Sequence, residues 1–263
     1  MNGEIPMQKR KRLTRWKAAL AAALLAPLGA LAQQQPSDYA REQRWASEII
    51  PGIVVGEPVW LEAPRTKKFL GIYSEAKRAK GALVLAHGLG VHPDYGVIGE
   101  LRTRLAEAGY TTLSIQMPIL AADAPAARYP VLFWEADARL AAAVSFLWRK
   151  NYRRIVLISH SMGSRMADHY ITKHPKLPLA GWISLSISSG VYGQLKNVKF
   201  PVFDVYAEHD LDAVTKGAEK RAAALKRLRG SSQTMMFATD HFYAGKEKEL
   251  AMLVRLLIEG EGK

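Results

Sequence analysis

Cysteine is absent from this 263-residue chain, which excludes disulfide frameworks, thiolate zinc sites, iron–sulfur clusters and cysteine nucleophiles together. No internal repeat is present, and no low-complexity segment beyond the N-terminal stretch. The apolar run Ala18–Ala30 is broken by Pro27 and Gly29, and it falls short of the roughly 20 residues a spanning helix needs. Acid is in deficit, with 24 Asp+Glu against 37 Lys+Arg and a formal net charge of +13. What is present is apolar: 49% hydrophobic residues is too much for a disordered chain and enough for one large core.

The positive charge is unevenly placed. Lys9, Arg10, Lys11, Arg12, Arg15 and Lys17 face Glu4 alone in residues 1–32, so this segment carries +5 of the +13. A basic start, a short apolar run and the small-residue site Ala30-Leu31-Ala32 form a secretory signal pattern with cleavage after Ala32. The competing expectation is an uncleaved anchor. The organisation expected is a signal peptide at 1–32, an exposed lead-in at 33–50 with a helix from Asp38 to Ile49, and one domain over 51–263. The location expected is periplasmic or secreted. The remaining +8 is a modest surface bias. Lys216, Lys220 and Arg227 form one stripe on an expected helix at 212–229, which leaves a weak anionic envelope contact open. Nucleic acid is not expected as a partner, and the oligomeric state is undetermined.

From residue 53 the pattern alternates. β-rich Ile53–Leu61 and Phe69–Ser74 read as an antiparallel pair at a sheet edge. Apolar runs follow at Ala82–Ala86, Thr111–Gln116, Arg154–Ser159, Ala180–Ile187, Val202–Tyr206 and Thr234–Ala238. Helix-period segments near 96–109, 135–150, 162–174, 212–229 and 245–258 separate most of them. Continuous apolar strands alternating with helices predict an α/β fold, a mostly parallel sheet covered on both faces.

The chemistry-bearing residues fall at strand ends. Ser161 follows the strand 154–159 and precedes a helix, the setting of a nucleophile elbow. The local pattern is S-x-S-x-G, with Ser159 where glycine is usual; a plain serine helix cap is the competing reading. A serine nucleophile needs a base, and the base an orienting acid. Asp210, past the end of the strand 200–206, is the expected acid, with Asp212 the alternative. His241, between the last strand and the final helix, is the expected base. Oxyanion donors are expected at Leu89, after His87-Gly88, and at Met162. Gly88 and Gly90 lack the third glycine of a dinucleotide loop, which would fall on Pro93. His87, His92 and Asp94 have no second ligand set. No cofactor or metal is expected.

His87-Gly88, Ser159–Gly163, Glu208-His209-Asp210 and Asp240-His241-Phe242, in this order, resemble the α/β-hydrolase superfamily over residues 80–260. Asp38–Trp45 and His87–Pro118 are similar to an uncharacterised family of secreted proteobacterial hydrolase-like proteins. The resemblance implies a serine hydrolase of the carboxylic ester class that acts on a small-molecule acyl substrate. A catalytically inactive binding or scaffold protein is the rival expectation. Only Ser188–Lys199 separates two late strands, so no large cap domain is expected there. Within Met117–Trp134, the residues Tyr129, Phe133 and Trp134 are expected to line the substrate site, or else to pack the following helix.

Overall fold

The computed structural model describes residues 36–260. The expected signal peptide and residues 33–35 lie outside the described residues. In chain order the elements are α1 (Tyr39–Ile49), β1 (Glu57–Leu61), β2 (Phe69–Ser74), β3 (Ala82–Ala86), α2 (Gly96–Glu107), β4 (Thr111–Ile115) and α3 (Phe133–Arg149). There follow β5 (Ile155–His160), α4 (Met162–Lys173), β6 (Gly181–Leu185), β7 (Val202–His209), α5 (Asp212–Leu225), β8 (Ser232–Asp240) and α6 (Glu247–Gly260).

The eight strands form one sheet in the order β1-β2-β4-β3-β5-β6-β7-β8. β2 runs antiparallel to both its neighbours, and the strands from β3 to β8 pair in parallel. Alternate residues of a strand point to opposite faces, and here both faces are covered. Val84 and Leu157 join the core under α3 and α4, while Leu85 and Ile158 join the core under α2 and α6. That double burial explains why the central strands read as unbroken apolar runs, each large side chain contributing roughly 1.5–3 kcal/mol on burial. In the register, Ala86 sits opposite Ser159, and Ser159 opposite Ser184. The carboxyl ends of β3, β5 and β6 therefore meet at one edge, where ligands bind in open α/β sheets.

Two expectations need correction. The helix expected to reach residue 229 stops at Leu225, which leaves Arg227 beyond it, and Lys216 is paired with Asp212 at 2.6 Å. The lead-in is not exposed: Ser37, Glu42 and Ala46 are buried. The Ser37 amide donates to Glu135 Oε2 (3.0 Å), the Ile119 amide donates to Ser37 Oγ (2.7 Å), and Arg139 bridges Glu42 and Glu135. The docking face of α1 is built from paired polar groups, which hydrophobic periodicity does not register.

The segment between β6 and β7 holds one short 3-10 turn, Leu195–Asn197, and no separate cap domain is present among the described residues. No helix among them is long and apolar enough to cross a membrane.

Candidate active site

β5 runs directly into α4 through Ser161, whose backbone has φ 54° and ψ −116°. Such a conformation costs a non-glycine residue about 1–3 kcal/mol. Two contacts hold it. The Ser161 amide donates to the Leu185 carbonyl at 2.9 Å. Helix α4 also lies so close to β3 that a Cβ on Gly163 would stand 2.7 Å from the Ala86 carbonyl oxygen, and nearer still to that of His87. Met162 is the first residue of α4, so its amide lies at the positive end of the helix dipole.

The structure brings Ser161, His241 and Asp210 together from three separate strand ends. His241 Nε2 lies 2.8 Å from Ser161 Oγ, and Nδ1 lies 2.5 Å from Asp210 Oδ1. A carboxylate on Nδ1 fixes that nitrogen as the donor and leaves Nε2 free to accept the serine hydroxyl proton. Asp210 Oδ2 also accepts from Ser186 Oγ (2.5 Å) and the Ala207 amide (3.1 Å), and Oδ1 accepts from the Leu211 amide (2.8 Å). Burial by itself would raise the Asp210 carboxyl; the hydrogen bonds from His241, Ser186 and Ala207 outweigh it and hold the group below its ordinary value. Asp212, the alternative acid, is exposed and takes only Lys216.

Two further histidines support this edge. His160 Nε2 donates to the His241 carbonyl at 2.9 Å. Burial, reinforced by the neighbouring His241, holds it down to about 4, so it is neutral at pH 7. His87 donates from Nδ1 to the Gly88 carbonyl (2.9 Å) and accepts the Met117 amide on Nε2 (2.9 Å). With both nitrogens committed, and Asp94 held by Arg102 at 2.7 Å, the His87, His92 and Asp94 trio does not form a ligand set.

Ser161 and His241 open into a cleft of about 290 Å³. Leu89 and Met162, the expected oxyanion donors, line it with Val91, Val97, Ile98 and Phe242. Tyr129, Phe133 and Trp134 do not. Tyr129 is 2% exposed, and its hydroxyl accepts the Leu120 amide at 3.3 Å; Phe133 stacks near His169; Trp134 lies under Arg65. The connection after β4 folds back into the core through Met117, Ile119, Leu120 and Leu132, which turns these aromatics away from the serine. Sequence reasoning missed Ser186 because it sits inside an apolar run read whole as strand. It missed Val97 and Ile98 because they form the first turn of α2 rather than a loop.

The mostly parallel eight-stranded sheet with helices on both faces is the α/β-hydrolase fold, and solved structures of that fold superpose on it. The dienelactone hydrolase of Anabaena variabilis superposes with a TM-score of 0.60 at 19% identity, covering 77% of this chain and 96% of its own. A lidless α/β serine hydrolase of Xanthomonas campestris gives 0.63 at 13%, covering 79% and 95%. Carboxylesterase CesB of Bacillus subtilis gives 0.62 at 13%, covering 84% and 97%. Identities this low establish the fold and nothing about substrate. Residues 20–132 match a family model described as protein of unknown function (DUF3530). No curated protein matches the sequence.

Proposed function

We propose that the protein is a serine hydrolase that cleaves carboxylic esters through an acyl-enzyme. One observation carries this reading: Ser161 Oγ, on a strained elbow, stands 2.8 Å from the free nitrogen of an imidazole whose other nitrogen is held by a buried carboxylate. His241 takes the Ser161 proton as Oγ bonds to the carbonyl carbon, and Asp210 stabilises the imidazolium. The amides of Leu89 and Met162 receive the oxyanion, each donor being worth about 3–4 kcal/mol in the transition state. His241 then protonates the departing alkoxide, and water repeats the sequence on the acyl-enzyme. The apolar cleft wall of Val91, Val97, Ile98 and Phe242 suits an apolar or aromatic acyl group. Ser159, where the elbow pattern usually has glycine, is a bonded structural group whose Oγ accepts from the Trp182 indole at 2.8 Å. With the secretory pattern at 1–32, we place the activity in the periplasm or outside the cell.

A fluorophosphonate probe and a series of 4-nitrophenyl esters of graded acyl length test the proposal on wild type and Ser161→Ala. Labelling and hydrolysis by wild type, both abolished in the variant, are the expected result. An unlabelled folded wild type, or a labelled Ser161→Ala, overturns it.

A further inference from the structure

Between Gly88 and Gly90 the chain passes the mouth of the cleft, and the inner end of this loop is gripped by His87 through the Gly88 carbonyl. A trans peptide points its N–H opposite its C=O, so that grip also sets the direction of the Leu89 amide. The outer end is held from a different part of the chain. Arg41, on α1, donates from Nη2 to the Gly90 carbonyl (3.0 Å) and from Nη1 to the Leu120 carbonyl (2.9 Å). Its guanidinium lies 4.4 Å from the centre of the Trp45 ring, which meets His92 edge-on at 5.6 Å. The loop has little freedom at this point. Gly90 has φ +63°, and a Cβ there would stand 3.4 Å from Tyr129 Oη.

We infer that Arg41 is a positioning residue for the oxyanion side of the site: its guanidinium clamps Gly90 to Leu120 and so holds the Leu89 amide in the orientation the reaction uses. This rests on the hydrolase reading above. The planar fork is what the task requires, since two carbonyls are met by two donors of one rigid group, which a lysine ammonium on its flexible stem does not reproduce. Arg41 touches no reacting atom. Its loss loosens a donor without removing it, so the effect belongs on kcat rather than on KM. The buried docking of α1 through Ser37, Glu42 and Ala46 supplies the fixed platform from which a helix outside the sheet reaches the site.

The test uses the full chain with Arg41→Ala and Arg41→Lys, and Arg44→Ala as an exposed control on the same helix. Ester hydrolysis should fall roughly 10- to 100-fold in kcat for Arg41→Ala, as for a displaced catalytic contact. The lysine variant should restore only part of it, KM should hold steady, and Arg44→Ala should match wild type. Affinity for an alkylboronic acid, which forms a tetrahedral adduct on serine, should fall in step with kcat/KM. Amide hydrogen exchange over residues 87–92 should quicken in Arg41→Ala while the strands stay protected. Unchanged kcat, full rescue by lysine, or unaltered exchange of the loop overturns the inference. A wild type that hydrolyses no ester overturns the hydrolase reading and the catalytic half of this one, and exchange then decides separately whether Arg41 holds the loop.

Discussion

The indole N–H of Trp182 donates to Ser159 Oγ across 2.8 Å, with both residues wholly shielded from solvent. Ser159 Oγ also lies 3.0 Å from Ser164 Oγ on the first turn of α4. The one departure from the usual elbow pattern is therefore a bonded group that ties β6, β5 and α4 together behind Ser161. Restoring the commoner residue removes the acceptor that the buried Trp182 indole N–H uses. Ser159→Gly should lose about 1–3 kcal/mol of stability in urea denaturation, while the folded fraction still reacts with a serine probe. A variant as stable as wild type would contradict this role.

Strain at the nucleophile gives a second expectation. Ser161→Ala and Ser161→Gly both remove the hydroxyl, but only glycine relaxes at φ 54°, ψ −116°. Both variants should be inactive, with Ser161→Gly the more stable by about 1 kcal/mol. Thermal melts of the pair measure the difference directly, and equal melting temperatures would argue that the elbow stores no strain.

Asp210 and Asp212 separate cleanly by replacement. Asp210 holds His241, Ser186 and two amides, whereas Asp212 faces solvent with Lys216. Asp210→Asn should lower kcat about 10⁴-fold by disturbing the imidazole tautomer. Asp212→Asn should leave hydrolysis near wild type, because an exposed ion pair contributes little. Kinetics on one activated ester decide it, and the reverse pattern would move the acid to Asp212.

Legibility from sequence followed the kind of force at work. The strands β2 and β3 were legible to the residue, because burial on both faces writes itself as an apolar run. Ser161, Asp210 and His241 were singled out by their places just past the strand runs 154–159, 202–206 and 234–238, and in the structure they follow β5, β7 and β8 directly. α1 showed as a helix, but its burial did not, since Ser37, Glu42, Glu135 and Arg139 dock it through charge pairs drawn from distant positions. The cleft wall failed for a related reason. An aromatic in a long connection can face the site or the core, and only the fold decides that Tyr129 turns inward while Val97, on a helix, turns toward the serine.

His160 links this edge of the sheet to pH. Its ring is fully buried and held down to about 4, first by desolvation and then by the neighbouring His241, against the opposing pull of its hydrogen bond to the His241 carbonyl and of Asp210. In the unfolded chain the same imidazole takes a proton near pH 6.5. Between those values the unfolded state binds a proton that the native state refuses. The contribution is therefore fully present above pH 6.5 and drains away as pH falls toward 4, by up to about 1.4 kcal/mol per pH unit. His87, held down to about 3 by burial, acts with the same sign, whereas Asp168, raised by burial to about 6, acts with the opposite sign between its ordinary value and 6. Whole-protein stability mixes these groups, so the informative quantity is a difference. Gln at position 160 offers an amide N–H to the His241 carbonyl and does not titrate. Relative to wild type, His160→Gln should gain about 3 kcal/mol between pH 7 and pH 4, read from urea denaturation at each pH. A wild-type-to-variant gap that stays constant across that window would mean that the ring takes up its proton at the same pH in the native protein as in the unfolded chain.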